Sequence, residues 1–206
     1  MRFQEAKEED LTMIAELLAD AFLNYPLFTI IEENKAKRYQ LIYEIYYINA
    51  KLYMTKHKCF VVMDNQNLVG VALLKDLQDR PGELLDYVRF GFPRLFKQRL
   101  LTKAMKFLKL VNSTEVPMSK KYGDSWYLDT FAVSKKTQGM GLGSEILQNI
   151  FSYIKEQGGG QLFLATNTKL NCKFYQKNGF AEYQEKDLTL DGHSVKDWGY
   201  CKKIPA

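Results

Sequence analysis

Three glycines occupy alternate positions in a short segment past the middle of the chain. The segment consists of Gln138, Gly139, Met140, Gly141, Leu142, Gly143 and Ser144. Aromatic and β-branched residues at 126–133 predict a strand before it, and apolar residues at helical spacing up to Ile154 predict a helix after it. A glycine turn between a strand and a helix leaves backbone N–H groups unpaired at the positive end of the helix dipole. The segment therefore predicts a binding site for an anion such as a phosphate.

Two common nucleotide-binding loops do not fit this segment. A P-loop ends in Gly-Lys-Ser or Gly-Lys-Thr, whereas Gly143 is followed directly by Ser144. A Rossmann fingerprint belongs to the first strand and helix of its domain and is followed by an acidic residue about 20 residues later. Here the strand comes late in the chain, and the helix runs into glycines at 158–160. A plain glycine turn, in contrast, leaves Gln138, three residues before Gly141, unexplained.

The spacing of Gln138, Gly141 and Gly143 resembles the acyl-CoA motif of the GCN5-related N-acetyltransferase (GNAT) superfamily. That motif has Gln or Arg, two residues, Gly, one residue, and then Gly or Ala. The preceding strand resembles the central strand of the family, and residues 171–180, with a tyrosine and a terminal Gly-Phe, resemble its next helix. The order of predicted elements matches over nearly the whole chain. The resemblance implies an N-acetyltransferase with acetyl-CoA as co-substrate and no metal.

The resemblance also implies where acetyl-CoA binds. The backbone N–H groups of residues 138–144 are expected to hold its pyrophosphate, with the Gln138 side chain helping to hold the loop. In this family the central strand and the following strand splay apart, and the pantetheine arm lies between them. The backbone groups expected on the arm are those of Phe131, Ala132 and Val133. Asn167 and Asn171 are candidates for amide contacts from the other side; the alternatives are that Asn167 only caps a helix and that Asn171 is only an exposed side chain.

For the chemistry, the resemblance implies direct attack of an amine on the thioester carbonyl, which needs neither a metal nor an enzyme nucleophile. Tyr175 matches the tyrosine that donates a proton to the leaving sulfur. Alternation along the central strand predicts that Tyr127, Asp129 and Phe131 share one face, which makes Asp129 a candidate base. The alternative for Asp129 is a buried structural acid. Cys172 lies nearby in sequence but is expected to be a structural thiol.

The first 55 residues are predicted to form one short strand and two helices. The strand at 1–6 is followed by a helix that begins at Glu8, and Pro26 is expected to close this helix or the turn after it. A second helix, at about 32–55, is unusually rich in tyrosine. Its tyrosines are expected at the edge of the core, or alternatively in the wall of a substrate pocket.

Two hairpins and a mixed order of elements complete the fold class. Hairpins are predicted at 57–74, around an Asn- and Asp-rich turn, and at 180–202, around Asp191-Gly192. A strand at 161–166 and a short helix at 169–177 lie between the glycine stop and the second hairpin. This order predicts an α/β protein with a mixed sheet and helices on both faces. The resemblance implies the GNAT acyl-CoA N-acyltransferase fold over a single domain, residues 1–206.

A segment at about 76–125 interrupts the strand and helix rhythm as a helical insertion. Two helices are predicted, at about 83–98 and 100–111, with basic residues interleaved among apolar ones. A basic amphipathic helix can lie on a membrane surface. Gly91 and Pro93 interrupt the pattern, so packing on the domain is expected instead. The insertion is then expected to help wall the acceptor pocket.

Composition excludes several classes of partner. The chain has 206 residues, is 46% hydrophobic and carries a mild formal charge of +5 without a long run of like charges, so no nucleic-acid partner is expected. No apolar run is long enough to span a membrane. The first ten residues carry acids and no apolar segment, and the three cysteines form no framework pattern, so a cytoplasmic protein with reduced thiols is expected.

The acceptor is the least determined part of the reaction. We expect the acceptor to be a primary amine of a small molecule. The protein is expected to be a monomer or a homodimer. One alternative is a module that binds or senses acyl-CoA without turnover, although the intact motif from Gln138 to Gly143 together with Tyr175 favours turnover. Another alternative is a protein acceptor, either an N-terminus or a lysine. The long insertion argues against the open groove that a peptide needs.

Overall fold

The computed structural model describes residues 1–77, 89, 91, 93–114 and 125–206, and it contains one seven-stranded mixed sheet. In chain order the strands are β1 Arg2–Glu5, β2 Lys58–Asp64, β3 Asn67–Asp76, β4 Ser125–Val133, β5 Gly160–Thr166, β6 Ala181–Leu190 and β7 His193–Ile204. Their order across the sheet is β1-β2-β3-β4-β5-β7-β6. Neighbouring strands are antiparallel except for β4 and β5, which are parallel. The predicted mixed sheet is confirmed.

The helices cover both faces of this sheet. They are α1 Leu11–Phe22, α2 Pro26–Thr29, α3 Lys35–Lys56, α4 Leu101–Thr114, α5 Leu142–Glu156 and α6 Lys169–Lys177. Helices α1, α3 and α4 contribute to one hydrophobic cluster, which includes Ile14, Leu41 and Ala104. Helices α5 and α6 contribute to the cluster on the other face, which includes Ile146 and Tyr175. None of the described helices is both long and apolar enough to cross a membrane.

Two helices begin three residues later in the chain than the sequence predicts. Glu8, Glu9 and Asp10 form a single 3-10 turn, so α1 begins at Leu11. Asn34 accepts a hydrogen bond from the Lys37 N–H at 3.0 Å and so sets the start of α3 three residues after the predicted one. Pro26 does not close α1, which ends at Phe22. After the turn that follows α1, it begins the short helix α2 at a position where its missing N–H costs no hydrogen bond.

Part of the predicted insertion lies outside the described residues. Residues 93–97 are helical, and Arg99 then adopts a left-handed φ of 57° before α4 begins. The chain therefore bends between two helices near the predicted kink. Helix α4 packs on the same face of the sheet as α1 and α3. The first part of the predicted helix at 83–98 and the loop at 115–124 are not described.

A β-bulge at Asp129 changes the predicted faces of the central strand. Leu73 of β3 pairs with Thr130 and Leu74 pairs with Leu128, so Asp129 is an extra residue in β4. Because of this extra residue, side chains after Asp129 point to the opposite face from the one that simple alternation predicts. Phe131 therefore packs with the same hydrophobic cluster as Leu128, on the α5 and α6 side of the sheet. The prediction that Tyr127, Asp129 and Phe131 share one face is therefore wrong.

Candidate active site

The glycine loop has the conformation that its sequence requires. Gly139 and Gly141 have left-handed φ angles of 81° and 86°, and no atom lies within 4 Å of the position where a Cβ would stand at either residue. Gly143 has ordinary backbone, but a Cβ there would meet the Phe174 ring at 3.1 Å. Backbone conformation thus requires glycine at 139 and 141. Close packing against α6 favours it at 143.

Helix α5 begins directly after this loop, at Leu142, with Gly141 as its N-cap. Several backbone N–H groups of the described loop donate to no other residue, namely those of Gln138, Gly139, Gly141, Leu142 and Gly143. The Gln138 amide donates to the Val133 carbonyl at 3.4 Å and so ties the loop to the end of β4. Unpaired N–H groups at a helix N-terminus suit an anionic group.

The central strand separates from its parallel neighbour next to this loop. β4 and β5 pair only at Ser125, Trp126 and Tyr127, opposite residues 161–163, although both strands continue beyond that point. The part of β4 that carries Phe131, Ala132 and Val133 therefore has no strand partner on its β5 side. The predicted splay is confirmed, and it opens a cleft.

The two candidate asparagines lie on the far side of the cleft. Thr168, not Asn167, caps α6, because its side chain accepts from the Asn171 N–H at 3.2 Å. Asn167 is buried and uses its Nδ2 group for the Lys196 carbonyl at 2.8 Å and for Oδ1 of Asp197 at 3.1 Å. Asn171 is half-buried and donates to Oγ1 of Thr166 at 3.0 Å.

A cavity of about 500 Å³ lies at this cleft and extends towards α3 and α4. Five predicted site residues line it, namely Asp129, Phe131, Asn167, Asn171 and Tyr175. Helix α4 forms one wall, as expected for the insertion, and Tyr46 and Tyr53 of the tyrosine-rich helix form part of another. Those two tyrosines are both core residues and cavity residues, so both interpretations of that helix hold for them.

Tyr175 reaches the cavity from α6. The residue is 6% exposed, and among the described residues its hydroxyl has no hydrogen-bond partner. Burial raises the pKa of Tyr175 well above the usual range, and the nearby Tyr25 adds to this. The phenol is therefore protonated at neutral pH and is free to donate into the cavity.

Asp129 reaches the cavity from the bulge in β4. Its Oδ2 accepts hydrogen bonds from Nδ2 of Asn49 at 2.9 Å and from the Thr130 hydroxyl at 2.8 Å. The bulge and these two donors orient the carboxylate. Both candidate catalytic groups, on different elements, therefore face one cavity.

Tyr25 and Asp197 were not identified from the sequence, yet both line the cavity. The Tyr25 hydroxyl lies 3.1 Å from Oγ1 of Thr166 and accepts from the Asn167 N–H at 2.8 Å. Burial raises the pKa of Tyr25 to about 12. Asp197 is an acid in a strand at an inward position, between buried Val195 and Gly199. The order of residue types at 195–199 is present in the sequence, but no sequence pattern linked β7 to the cavity.

Cys172 has the features of a structural thiol. It is half-buried, and burial raises its pKa above that of a free thiol, which disfavours the reactive thiolate. In the described part of the chain, no group of three or more His, Cys, Asp or Glu side chains is arranged to hold a metal.

Comparison with known proteins gives one family and one fold. The family model "Acetyltransferase (GNAT) family" matches residues 13–180. No match is found among curated proteins. Among solved structures, arylalkylamine N-acetyltransferase 2 from Aedes aegypti superposes with a TM-score of 0.68 at 15% identity, and the match covers 98% of each chain.

Two further structures have the same fold. A polyamine N-acetyltransferase from Drosophila melanogaster, which forms N-acetylagmatine, has a TM-score of 0.63 at 12% identity, covering 98% of this chain and 99% of that one. A histone acetyltransferase HPA2 and related acetyltransferase from Corynebacterium glutamicum has a TM-score of 0.60 at 22% identity, covering 99% and 96%. At such low identity these likenesses show the fold alone.

Proposed function

We propose that this chain, which belongs to the acetyltransferase (GNAT) family, transfers the acetyl group of acetyl-CoA to a primary amine of a small molecule. The observation that carries the proposal is the cavity at the β4–β5 cleft. It is lined by a carboxylate, Asp129, and by a buried phenol, Tyr175, and it lies beside a glycine loop with unpaired N–H groups.

The glycine loop and the cleft fit acetyl-CoA. The free N–H groups from Gln138 to Gly143 suit the pyrophosphate, and Ser144 follows them in the first turn of α5. The unpaired stretch of β4 at Phe131, Ala132 and Val133 offers backbone groups to the amide-containing arm. Because both Nδ2 hydrogens of Asn167 are already used, its contribution would come from Oδ1.

Asp129 and Tyr175 supply the proton transfers of a direct attack. Asp129 accepts a proton from the acceptor nitrogen, either directly or through water, as that nitrogen forms its bond to the thioester carbonyl carbon. The carbon–sulfur bond then breaks, and Tyr175 gives its hydroxyl proton to the departing thiolate. Both groups line the same cavity, as such a mechanism requires.

A small acceptor is favoured by the size of the cavity. Helices α3 and α4 line the cavity, and its volume of about 500 Å³ suits a small molecule. A cytoplasmic location is also proposed, because all three cysteines are free and acetyl-CoA is the donor.

Thiol release from acetyl-CoA tests this function. We expect release that depends on the presence of a small primary amine from a panel, with the acetylated amine detected by mass spectrometry. Peptides with a free N-terminus or a lysine serve as the comparison. Tight CoA binding without release for any acceptor would support a sensing module instead, and a preference for peptides would replace the small-molecule acceptor.

A further inference from the structure

One wall of the cavity is built from aromatic rings. The half-buried rings of Phe22, Tyr25 and Phe107 line it. Each is held by another ring: Phe22 stacks on Tyr46 with centroids 5.2 Å apart, and Phe107 stacks on Phe28 at 4.9 Å. Tyr25 meets Phe22 edge-on at 5.1 Å. These paired rings form a preformed apolar surface that suits a flat or branched apolar group.

The other end of the cavity is polar, and Tyr25 connects the two. Its hydroxyl accepts from the Asn167 N–H, and Nδ2 of Asn167 donates to Oδ1 of Asp197 at 3.1 Å. The charge of Asp197 also contributes, after burial, to the raised pKa of Tyr25. The aromatic wall therefore ends next to a buried carboxylate.

Asp197 is buried, and within the described residues only one oxygen of its carboxylate accepts a hydrogen bond. Its side chain is 1% exposed and forms part of the cavity lining, and its Oδ2 has no hydrogen-bond partner within the part of the chain that the structure describes. Lys186 is the positive charge that partly lowers the pKa of Asp197, but its ammonium donates to the Ser113 carbonyl. Burial raises the pKa of Asp197 to about 6, so the carboxylate is ionised at pH 7.5. A buried carboxylate oxygen without a donor is costly unless a ligand supplies one.

The charges around the cavity match a single cation. Among the described lining residues, the charged side chains are Lys75, Asp129 and Asp197, which leaves one net negative charge. A bound monocation would balance it. A diamine would bring a second positive charge that exceeds this net charge, and an aliphatic diamine such as putrescine has no bulky apolar body to cover the rings.

We propose that the cavity binds its acceptor as a monocation, a primary ammonium on an aromatic or branched apolar body, with Oδ2 of Asp197 holding the ammonium and the rings of Phe22, Tyr25 and Phe107 holding the body. This rests on the proposed function and names its substrate class. Asp197 binds the ammonium at the polar end of the cavity. The ammonium first loses one proton to solvent to become the attacking amine, and Asp129 accepts the second proton as the bond to the thioester carbon forms.

Binding, rather than turnover, tests this proposal, so a failure here is separate from a failure of thiol release. Calorimetry on the protein saturated with CoA at pH 7.5 would compare three probes: 2-phenylethylamine, the neutral 2-phenylethanol, and the diamine putrescine. We expect 2-phenylethylamine to bind at least about 10-fold more tightly than either of the others. Equal or tighter binding of putrescine, or equal binding of the alcohol, would overturn the proposal.

Asp197→Asn tests the residue itself. The variant should lose about 10-fold in affinity for 2-phenylethylamine and keep its affinity for 2-phenylethanol, because only the charge is removed. Asp187→Asn removes an exposed carboxylate that pairs with Lys196, and it should keep the preference for the amine. A D197N protein with an unchanged amine-to-alcohol ratio would remove Asp197 from the site. If D197N also loses affinity for 2-phenylethanol, the order of affinities of the three probes for the unmodified protein decides whether the proposal holds.

Discussion

Asn49 of α3 donates a hydrogen bond from Nδ2 to Oδ2 of Asp129 on β4, over 2.9 Å, although 80 positions separate the two in sequence. This hydrogen bond connects helix α3, which lines the cavity, to the bulge in β4. The Thr130 hydroxyl is the second donor to the same oxygen. Asp129 is therefore held in one orientation at the cavity, which a proton acceptor needs.

Asp129→Asn should lower kcat/KM for the amine by about 10²- to 10³-fold and leave the KM for acetyl-CoA unchanged, because a general base is removed. Steady-state kinetics at several pH values would measure this. Asn49→Ala should cost less and move the acidic limb of the pH–rate profile to higher pH, since a donor to the carboxylate is lost. A structural role for Asp129 would leave that limb in place in the Asn49 variant.

Tyr175→Phe should slow the single-turnover rate by about 10²-fold while the affinity for acetyl-CoA stays the same, because the proton for the leaving thiolate is lost. Rapid-quench measurement of the first turnover avoids any masking by product release. Tyr153→Phe is the matched control: this tyrosine of α5 packs on Phe60 and Trp126 outside the cavity lining. Equal rates for Y175F and the unmodified protein would remove the acid role.

Gly141→Glu should abolish acetyl-CoA binding, through repulsion of the pyrophosphate and strain at a left-handed residue. Gly192→Glu introduces the same charge at a hairpin glycine with φ of 84°, and open space surrounds both positions. Each variant should lose about 1–2 kcal/mol of stability. Only the first should lose acetyl-CoA in calorimetry; comparable losses in both would mean that the glycine loop is not the binding site.

Asp197→Asn should change how stability depends on pH. Burial raises the pKa of Asp197 from 3.8 to about 6, while Lys186 and the Asn167 amide partly oppose this, so the folded state holds the proton more tightly than the unfolded chain. The penalty for ionisation is small below pH 4, grows between pH 4 and 6, and is complete above it, at up to about 3 kcal/mol. Urea unfolding from pH 4.5 to 8 should show a flatter profile for D197N, with Asp187→Asn as the control. An unchanged slope would contradict the burial of this charge.

Local chemistry made much of the site predictable. Alternate glycines predict a turn that needs left-handed backbone, and Gly139 and Gly141 adopt it because glycine has no Cβ to clash there. Asp191 and Gly192, both with positive φ, form the predicted hairpin turn, because Asp tolerates the left-handed region and glycine enters it freely. The strands β4 and β5 and the helix that carries Tyr175 follow from residue patterns within a few positions, whereas the proximity of the two strands was implied only by the family resemblance.

The bulge at Asp129 could not be predicted from these patterns. Alternation assumes an unbroken pairing, whereas the extra residue exists only because β4 and β3 meet in a particular register. The same applies to Pro26, which is compatible with the end of one helix and with the start of another, and which the packing of α2 assigns to a start.

The sequence by itself determined the family, the glycine loop and the helix that carries Tyr175, because these depend on backbone conformation and on spacing along the chain. Only the tertiary structure decided which distant side chains line the cavity. Tyr25, Asn49 and Asp197 come from three distant segments, and each is polar or aromatic in a pattern that also fits an ordinary core or surface residue. Their shared cavity arises from the splay of β4 and β5 and from the helices packed over it, and long-range contacts of this kind leave no periodic signal in the chain.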